Sequence, residues 1–435
     1  MEIKKSSVVI ERIKKRINCH EFMLTNRLSN HDFTRKRKLP FVSLVLFMLN
    51  LIKSTLQKEL TNFMGMFSSL EDSPKKISKS AFSQSRVKLK PEAFIDLNNV
   101  LTHEFYTDNK FDTWKGFRLL SVDGTVLHLP FSEEIRNHFG FNNDPHGRRL
   151  PLARSSSLYD ILNEIIISTK IDNYHVGEYD LFLSHVDKLQ SKDLLILDMG
   201  YNAIWLFLYI LYKKSDFLIR LQKNLRFVKL FLESGEPSRV VEIDKLTRYQ
   251  PDSARRFEEL GFKFKPFKIR LIKVELDGGE IEVLGTSLID EKEYPTSIFK
   301  YLYFKRWGIE VNIDHLKNQV EIENFTGLTP VSVEQDYYAN MFIVNLQSII
   351  ARDAKLELEK NGKKTKYEYK INKNLSLGFM KDRIVQILTS NNPKYLEELK
   401  ELFKAEPVPI RKNRKFERRP YKKKKKYFIN KRRAI

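Results

Sequence analysis

The chain of 435 residues has one cysteine, Cys19, so it can form no internal disulfide and no zinc site built from several thiolates. Its nine histidines are scattered, with no pair at a metal-binding spacing such as H-x-x-x-H. Any metal chemistry therefore falls to carboxylates, and so to a hard ion such as Mg²⁺ or Mn²⁺. Long apolar runs are missing too. The most apolar early stretch, FVSLVLFMLNLI from Phe41 to Ile52, has 12 residues, against roughly 20 for a spanning helix. It reads as a buried core helix. The opening MEIKKSSVVIERIKKR has no apolar segment of the kind a secretory signal needs. These absences point to a reduced, cytoplasmic compartment and away from the membrane.

What the chain does have is apolar content and positive charge. Apolar residues make up 42%, enough for a substantial core, and 77 Lys and Arg against 55 Asp and Glu leave a formal charge of +22. Such an excess favours a polyanionic partner, nucleic acid before anionic membrane.

Residues 1 to about 105 read as helical. Pro40 stands in a favourable first-turn place before the apolar run, and a second helical stretch follows from Lys53 to Met64. A turn-rich patch, SSLEDSPKK, leads into ISKSAFSQSRVKL at 77–89, which reads as a short helix, a turn and a basic helix. Two accounts stay open here: an all-helical cap, or a helix-turn-helix-like module with Ser83, Gln84, Arg86 and Lys88 facing DNA. On spacing alone the cap is the simpler.

From about 111 the texture turns to strands. FRLLSVDGTVLHLP (117–130) carries Asp123 with Gly124 as a turn or bulge, LYDILNEIIISTKI (158–171) is a strand pair or long strand, VGEYDLFLSHVDKL (176–189) has helical spacing, and DLLILDMGY (193–201) is a buried strand ending at Asp198. The interleaving predicts an α/β core. FLIRLQ, SRVVEI, FKIRLIKVEL and EIEVLGTSLI, over 216 to about 289, look like a β-rich insertion. Helices resume from Pro295 to about Lys360. The last stretch, from Arg411 to Arg433, holds 14 Lys and Arg residues and is expected to order only on phosphate.

Asp123 and Asp198 both sit at ends or edges of apolar strands, where a carboxylate is costly unless paired, hydrogen-bonded or metal-bound. A third element lies in YFKRWGIEVNIDHLK (303–317). At about 100° per residue, Tyr303, Arg306, Glu310 and Lys317 fall on one helix face, beside an apolar stripe of Leu302, Ile309, Ile313 and Leu316. By spacing alone, an exposed helix with an Arg306–Glu310 pair worth about 0.3–0.5 kcal/mol is the simpler reading.

The pattern Y-x-x-R-x-x-x-E-x-x-x-x-x-x-K, complete at Tyr303, Arg306, Glu310 and Lys317 and including Trp307 after the Arg, resembles the signature of the insertion-sequence-four family of DDE transposases. FTRKRKLPF (33–41), AFSQSR (81–86), VDGT (122–125), LDMGY (197–201), GTSLID (285–290) and NFTGLTP (324–330) resemble the family in the same order, so the resemblance runs from about 33 to 350. It implies an RNase H-like catalytic core interrupted by a β-rich insertion, with an N-terminal helical domain and a helical, basic C-terminal region. The corresponding divisions are 1–110 (helical, DNA-binding), 111–215 (core, first part), 216–290 (insertion), 291–352 (core, second part) and 353–435.

The same resemblance implies that Asp123, Asp198 and Glu310 are the catalytic residues and the ligands of two Mg²⁺ or Mn²⁺ ions. Arg306 and Lys317 would contact DNA phosphates, and Tyr303 would hydrogen-bond one. Double-stranded DNA, as element terminal inverted repeats and target, is the implied partner, with a homodimer in the DNA complex and a nucleoid-associated location. Water would cut one strand at the element end and the freed 3′-OH would attack the opposite strand or the target. Trp307 has two open readings, stacking on DNA or packing at the helix edge. In at least some relatives a tryptophan in the insertion holds a flipped base during hairpin formation. Here Trp114, Trp205 and Trp307 all lie outside 216–289, which puts the hairpin step in doubt.

Overall fold

The computed structural model describes residues 5–35, 37–67, 76–244, 251–360 and 367–411. Most of the tail from Arg411 to Arg433 lies outside the described residues.

The N-terminal part is helical: α1 (Lys5–Ile17), α2 (His20–Asn26), α3 (Phe41–Leu49), α4 (Leu56–Phe67), α5 (Lys79–Arg86) and α6 (Glu92–Tyr106). The apolar run becomes α3, opened by Pro40. Nearly all its side chains are buried, so it is the core helix its length implied. The segment 77–89 differs from expectation. It forms the single helix α5, whose N-terminus is capped by Ser78 accepting from the Ala81 amide. Past Arg86 the chain pairs with residues near α2 through an Arg27–Leu89 bridge. A second basic helix has no room to form, because the Lys88 carbonyl and Lys90 amide are already taken by Leu28 and Asn26.

The centre is a mixed α/β arrangement around one large sheet. In chain order it comprises β1 (Arg118–His128), α7 (Glu133–Phe139), β2 (Phe141–Asn143), β3 (Arg149–Asp160), β4 (Ile165–Asn173), α8 (Glu178–Leu183), β5 (Asp193–Leu197), α9 (Ile204–Tyr212), β6 (Asp216–Arg220), α10 (Arg226–Glu233), β7 (Ser238–Ile243), α11 (Pro251–Glu259), β8 (Phe267–Glu275) and β9 (Ile281–Thr286). The strand order is β2-β3-β1-β5-β6-β9-β8-β7, with β4 paired to β3 on the edge away from β1. β1, β5 and β6 run parallel to one another. β5 (DLLIL) is buried at all five residues, the near-continuous apolar run expected of a strand covered on both faces.

Two readings of this region need amendment. Gly124 makes no turn; it lies inside β1 opposite Ser156. The four strands expected over 216–289 are present, but they continue the same sheet, β6 pairing with β9 and β9 with β8. Helices α10 and α11 stand between them, each with only a short apolar face that the strand pattern around it masks.

The chain closes with α12 (Ile298–Phe304), α13 (Trp307–Asn318), α14 (Pro330–Lys360), β10 (Glu368–Lys370), α15 (Lys373–Thr389), α16 (Lys394–Ala405) and β11 (Val408–Ile410). α14 is a 31-residue spine that packs on α1, α3 and α6 as well as β4, and so ties the N-terminal helices to the sheet.

Candidate active site

The parallel strands set the site. β1 and β5 pair through Leu120 and Leu195, and Asp123 and Asp198 stand the same distance further along each. β5 and β6 pair through Leu197 and Ile219, so Asp198 and Arg220 are neighbours by the same count. One row across three adjacent strands thus carries two carboxylates and a guanidinium, at the C-terminal ends of β5 and β6, where open α/β sheets gather ligands.

Each of these groups has a local partner. Asp123 accepts from the Gly124 amide at 2.7 Å. Asp198 accepts from the Gly200 amide at 2.9 Å and so caps a short 3₁₀ turn, Met199–Tyr201. Arg220 donates to Glu282 at 2.7 Å.

α13 brings in Glu310. A Cβ on Gly308 would stand 2.9 Å from the Ile161 side chain, so glycine lets this helix press against the β3–β4 turn. Ile313, Leu316 and Lys317 line a small crevice together with Asp123, Thr125, Ser155 and Ser157, which places α13 over the Asp123 face of β1. Lys317 donates to the Val126 carbonyl at 2.7 Å. The expected single helix is broken, however. α12 ends at Phe304 and α13 starts at Trp307, and the backbone bonds across the junction reach back only three residues, as in Arg306 to Tyr303 and Ile309 to Arg306. Tightening that turn still leaves Arg306 one α-turn before Glu310, and the two side chains meet at 2.7 Å.

The electrostatics show that these groups share one place. Burial pushes the Asp123 carboxyl up to about 6, with the Asp198 and Glu310 carboxylates adding to the rise and the Gly124 amide and Arg306 opposing it. The Tyr303 phenol is pushed up to about 12, first by burial, with Asp198 and Glu282 adding and Arg306 and Arg220 opposing. Glu178 belongs to the same neighbourhood: its carboxylate is 3.6 Å from where a Cβ on Gly200 would stand. The Nε atoms of Arg306 and Arg220 are buried without a hydrogen-bond partner among the described residues.

The donor set fits a hard divalent cation in kind, since it is carboxylate oxygen and its mutual repulsion already raises Asp123. Among the described residues, no three His, Cys, Asp or Glu side chains are gathered in ligand geometry. Glu310 is drawn to Arg306 and Asp198 to its own turn.

Two carboxylates, Asp123 within β1 and Asp198 just past β5, thus lie in one row across a large mixed sheet, and the helix laid over β1 carries a third, Glu310. The transposase DDE domain family matches residues 114–346, more than half of the chain, and the chain belongs to that family. It is 21% identical over 277 residues to the transposase InsG of insertion sequence element IS4 from Escherichia coli K12, an alignment covering 62% of this chain and 60% of that one. The chain thus spans about three fifths of the length of that curated relative. Among solved structures, a cryo-EM structure of the piggyBac transposase synaptic complex with hairpin DNA is similar at a TM-score of 0.42 and 12% identity, over 90% of this chain and 82% of that one.

The remaining sequence-derived candidates divide. Tyr303 is half-buried beside Arg306, whose guanidinium lies over the Tyr303 and Trp307 rings at 5.8 and 5.5 Å. Trp307 is 38% exposed. Ser83 and Gln84 are exposed on α5, and Lys88 pairs with Asp32 at 3.4 Å. Arg86 faces the other way: it is 4% exposed and donates to Gln335, Thr326, the Ser332 carbonyl and Asp336. An arginine inside an apolar helix packing must find acceptors, and α14 supplies them.

Sequence reasoning missed Arg220 and Glu178. A lone arginine closing the apolar strand FLIR was a usable signal, because the neighbouring strand closes on Asp198. Glu178, after a glycine at a helix start, looks like any helix-capping acid.

Proposed function

We propose that this protein is a transposase that cleaves DNA at the ends of an insertion sequence and joins the freed 3′ ends to target DNA, on an RNase H-like core. What supports the reading is that Asp198 and Glu310 lie near enough to Asp123 for their charges to raise its carboxyl, beside Arg306 and Arg220, in a chain whose family is the DDE transposases. In this reading Asp123, Asp198 and Glu310 hold one or two Mg²⁺ or Mn²⁺ ions. Such ions, when bound, activate the attacking oxygen and stabilise the leaving one.

The chain's own residues do the rest. Arg306, held by its bond to Glu310, takes a non-bridging phosphate oxygen through its guanidinium. Arg220, anchored by Glu282, offers a second cation from the sheet side. Lys317, fixed to the β1 backbone, supplies a compact positive charge at the far end of α13. Tyr303, kept protonated at neutral pH, donates a hydrogen bond to phosphate. Trp307 stacks on an exposed base, and Ser83, Gln84 and Lys88 contact the duplex from α5. The partners are double-stranded DNA of the element's inverted repeats and of the target, held by a homodimer.

The test is incubation of the purified full chain with supercoiled plasmid carrying its own coding-region flanks. Expected is nicking that maps to inverted repeats, needs Mg²⁺ or Mn²⁺, and yields joined products with a second plasmid. Nicking without joined products would reduce the protein to a nuclease, and no metal-dependent cleavage would overturn the reading.

A further inference from the structure

Beside the turn that follows β5, a glycine keeps a small gap open. A Cβ on Gly200 would stand 3.1 Å from Asp198 Oδ1 and 3.6 Å from Glu178 Oε2. Two carboxylates from different elements therefore flank one point, which any side chain at position 200 would fill. The Gly200 amide also caps the turn by donating to Asp198 at 2.9 Å. That bond needs only an N–H, which every residue except proline supplies. What glycine alone supplies here is the empty space between the two acids.

Glu178 opens α8, and its neighbours hold it where it is. The Tyr179 hydroxyl donates to the Gly200 carbonyl at 3.0 Å, and the Tyr179 ring packs edge-on against Trp205 at 5.4 Å and Tyr201 at 6.2 Å. Asp180 pairs with Arg256 at 2.6 Å, and the Arg256 guanidinium lies over Trp205 at 5.7 Å. The start of α8 is thus fastened to the turn after β5, to α9 and to α11. Glu178 takes no part in the fastening. Its side chain is exposed and, among the described residues, makes no hydrogen bond or ion pair. The buried Tyr201 phenol senses it together with the strand aspartates: burial first, and then the charges of Asp123, Glu178 and Asp198, hold that phenol well above its usual pKa. In a chain with a formal charge of +22, Glu178 is an acid set beside other acids, a repulsion that no partner in the fold offsets.

We propose that Glu178 is a fourth carboxylate of the metal site, a ligand added from α8 to Asp123, Asp198 and Glu310. The inference rests on the reading that those three hold Mg²⁺ or Mn²⁺. Hard divalent ions take carboxylate oxygens, and a pair of them carries more positive charge than three carboxylates cancel. Glu178 supplies the balance from a long, unpaired side chain with room to swing into the Gly200 gap. The repulsion among the acids in the free protein is what a bound cation relieves.

The experiment titrates Mn²⁺ into the full chain without DNA, with free Mn²⁺ read by electron paramagnetic resonance. Glu178→Gln keeps the size of the side chain and removes its charge. It is expected to weaken binding by about 10–100-fold, the loss usual when even a supporting partner of a metal ligand is removed. Glu398→Gln, at an exposed acid on α16, is expected to bind as wild type does. Thermal unfolding separates a ligand from a brace. Without metal, Glu178→Gln should melt at or above the wild-type temperature, because a repelled charge is gone, while the stabilisation conferred by Mn²⁺ shrinks with the affinity. Wild-type Mn²⁺ affinity in Glu178→Gln overturns the proposal, as does a lowered melting temperature without metal. Asp198→Asn in the same titration separates the two readings. Weakened binding in Asp198→Asn with wild-type binding in Glu178→Gln removes Glu178 alone, whereas unchanged binding in both removes the carboxylate metal site itself.

Discussion

Arg306 and Glu310 meet at 2.7 Å across the tightened junction where α12 gives way to α13, so the third carboxylate of the site is held by the arginine expected to handle phosphate. The pair is largely shielded on the arginine side, 13% exposed against 35% for the glutamate. In the proposed reading, metal binding by Glu310 and phosphate binding by Arg306 would therefore draw on the same pairing. Arg306→Ala is expected to lower the nicking rate at saturating Mg²⁺ by about 10²–10³, the usual loss on deleting one preorganised charge donor. Arg306→Lys should recover little of it, because an ammonium cannot bond two partners in one plane. An unchanged rate in either variant would remove Arg306 from the phosphate-handling set.

Asp198→Ala is expected to abolish cleavage while leaving duplex affinity within about threefold of wild type, because affinity is spread over many phosphate contacts and, among the described residues, Asp198 accepts from the Gly200 amide of its own turn. A gel shift and a nicking assay on one preparation decide it. Joint loss of binding and cleavage would mean that the 3₁₀ turn after β5 had collapsed.

What was legible is placement: Asp123 and Asp198 read as lying in or at the end of apolar strands, and Arg306 as one helical turn before Glu310, and these are where the structure has them. Illegible features were those set by tertiary geometry. The register that aligns Asp198 with Arg220 is a property of strand pairing, so the sequence shows Arg220 closing an apolar strand but not which strand lies beside it. Arg86 sits in a polar, basic segment and reads as a surface residue, yet Asp336 and Gln335, far along the chain, turn it inward. The break between α12 and α13, where backbone bonds reach back only three residues, is not marked by the helical pattern. The strands of 216–289 were visible, but whether they form their own sheet or extend the central one is decided by the β6–β9 pairing.

Arg86→Met should destabilise the fold rather than weaken DNA binding directly. The side chains of Arg86 and Asp336 are 5% and 9% exposed and lie 2.8 Å apart. Removing the cation leaves a buried carboxylate supported, among the described residues, by the Thr326 amide and hydroxyl. Breaking such a pair costs about 3–5 kcal/mol. Urea unfolding of the full chain measures this, and adding Asp336→Asn should recover part of the loss by removing the stranded charge. A variant as stable as wild type would show that the α5–α14 junction does not depend on this pair.

His185 gives a pH dependence with a definite sign. It is 1% exposed, lies between the Ser168 and Ser156 hydroxyls at 3.0 and 3.1 Å, and burial lowers its pKa to about 4. Above the unfolded value of about 6.5 the ring is neutral in both states and contributes no pH dependence. Below that value the unfolded chain takes up a proton that the folded chain refuses until about 4, so the unfolded state binds more protons and stability falls as pH falls. Going from about pH 7.5 to pH 5, this single group should remove about 2 kcal/mol. Other groups titrate over the same range, so the comparison is with His185→Gln, which keeps hydrogen-bonding capacity and cannot titrate. Wild type should lose about 2 kcal/mol more than the variant over that interval, by urea unfolding at the two pH values. Equal losses would mean that water reaches the ring in the folded protein and that the imidazole titrates there as it does in the unfolded chain.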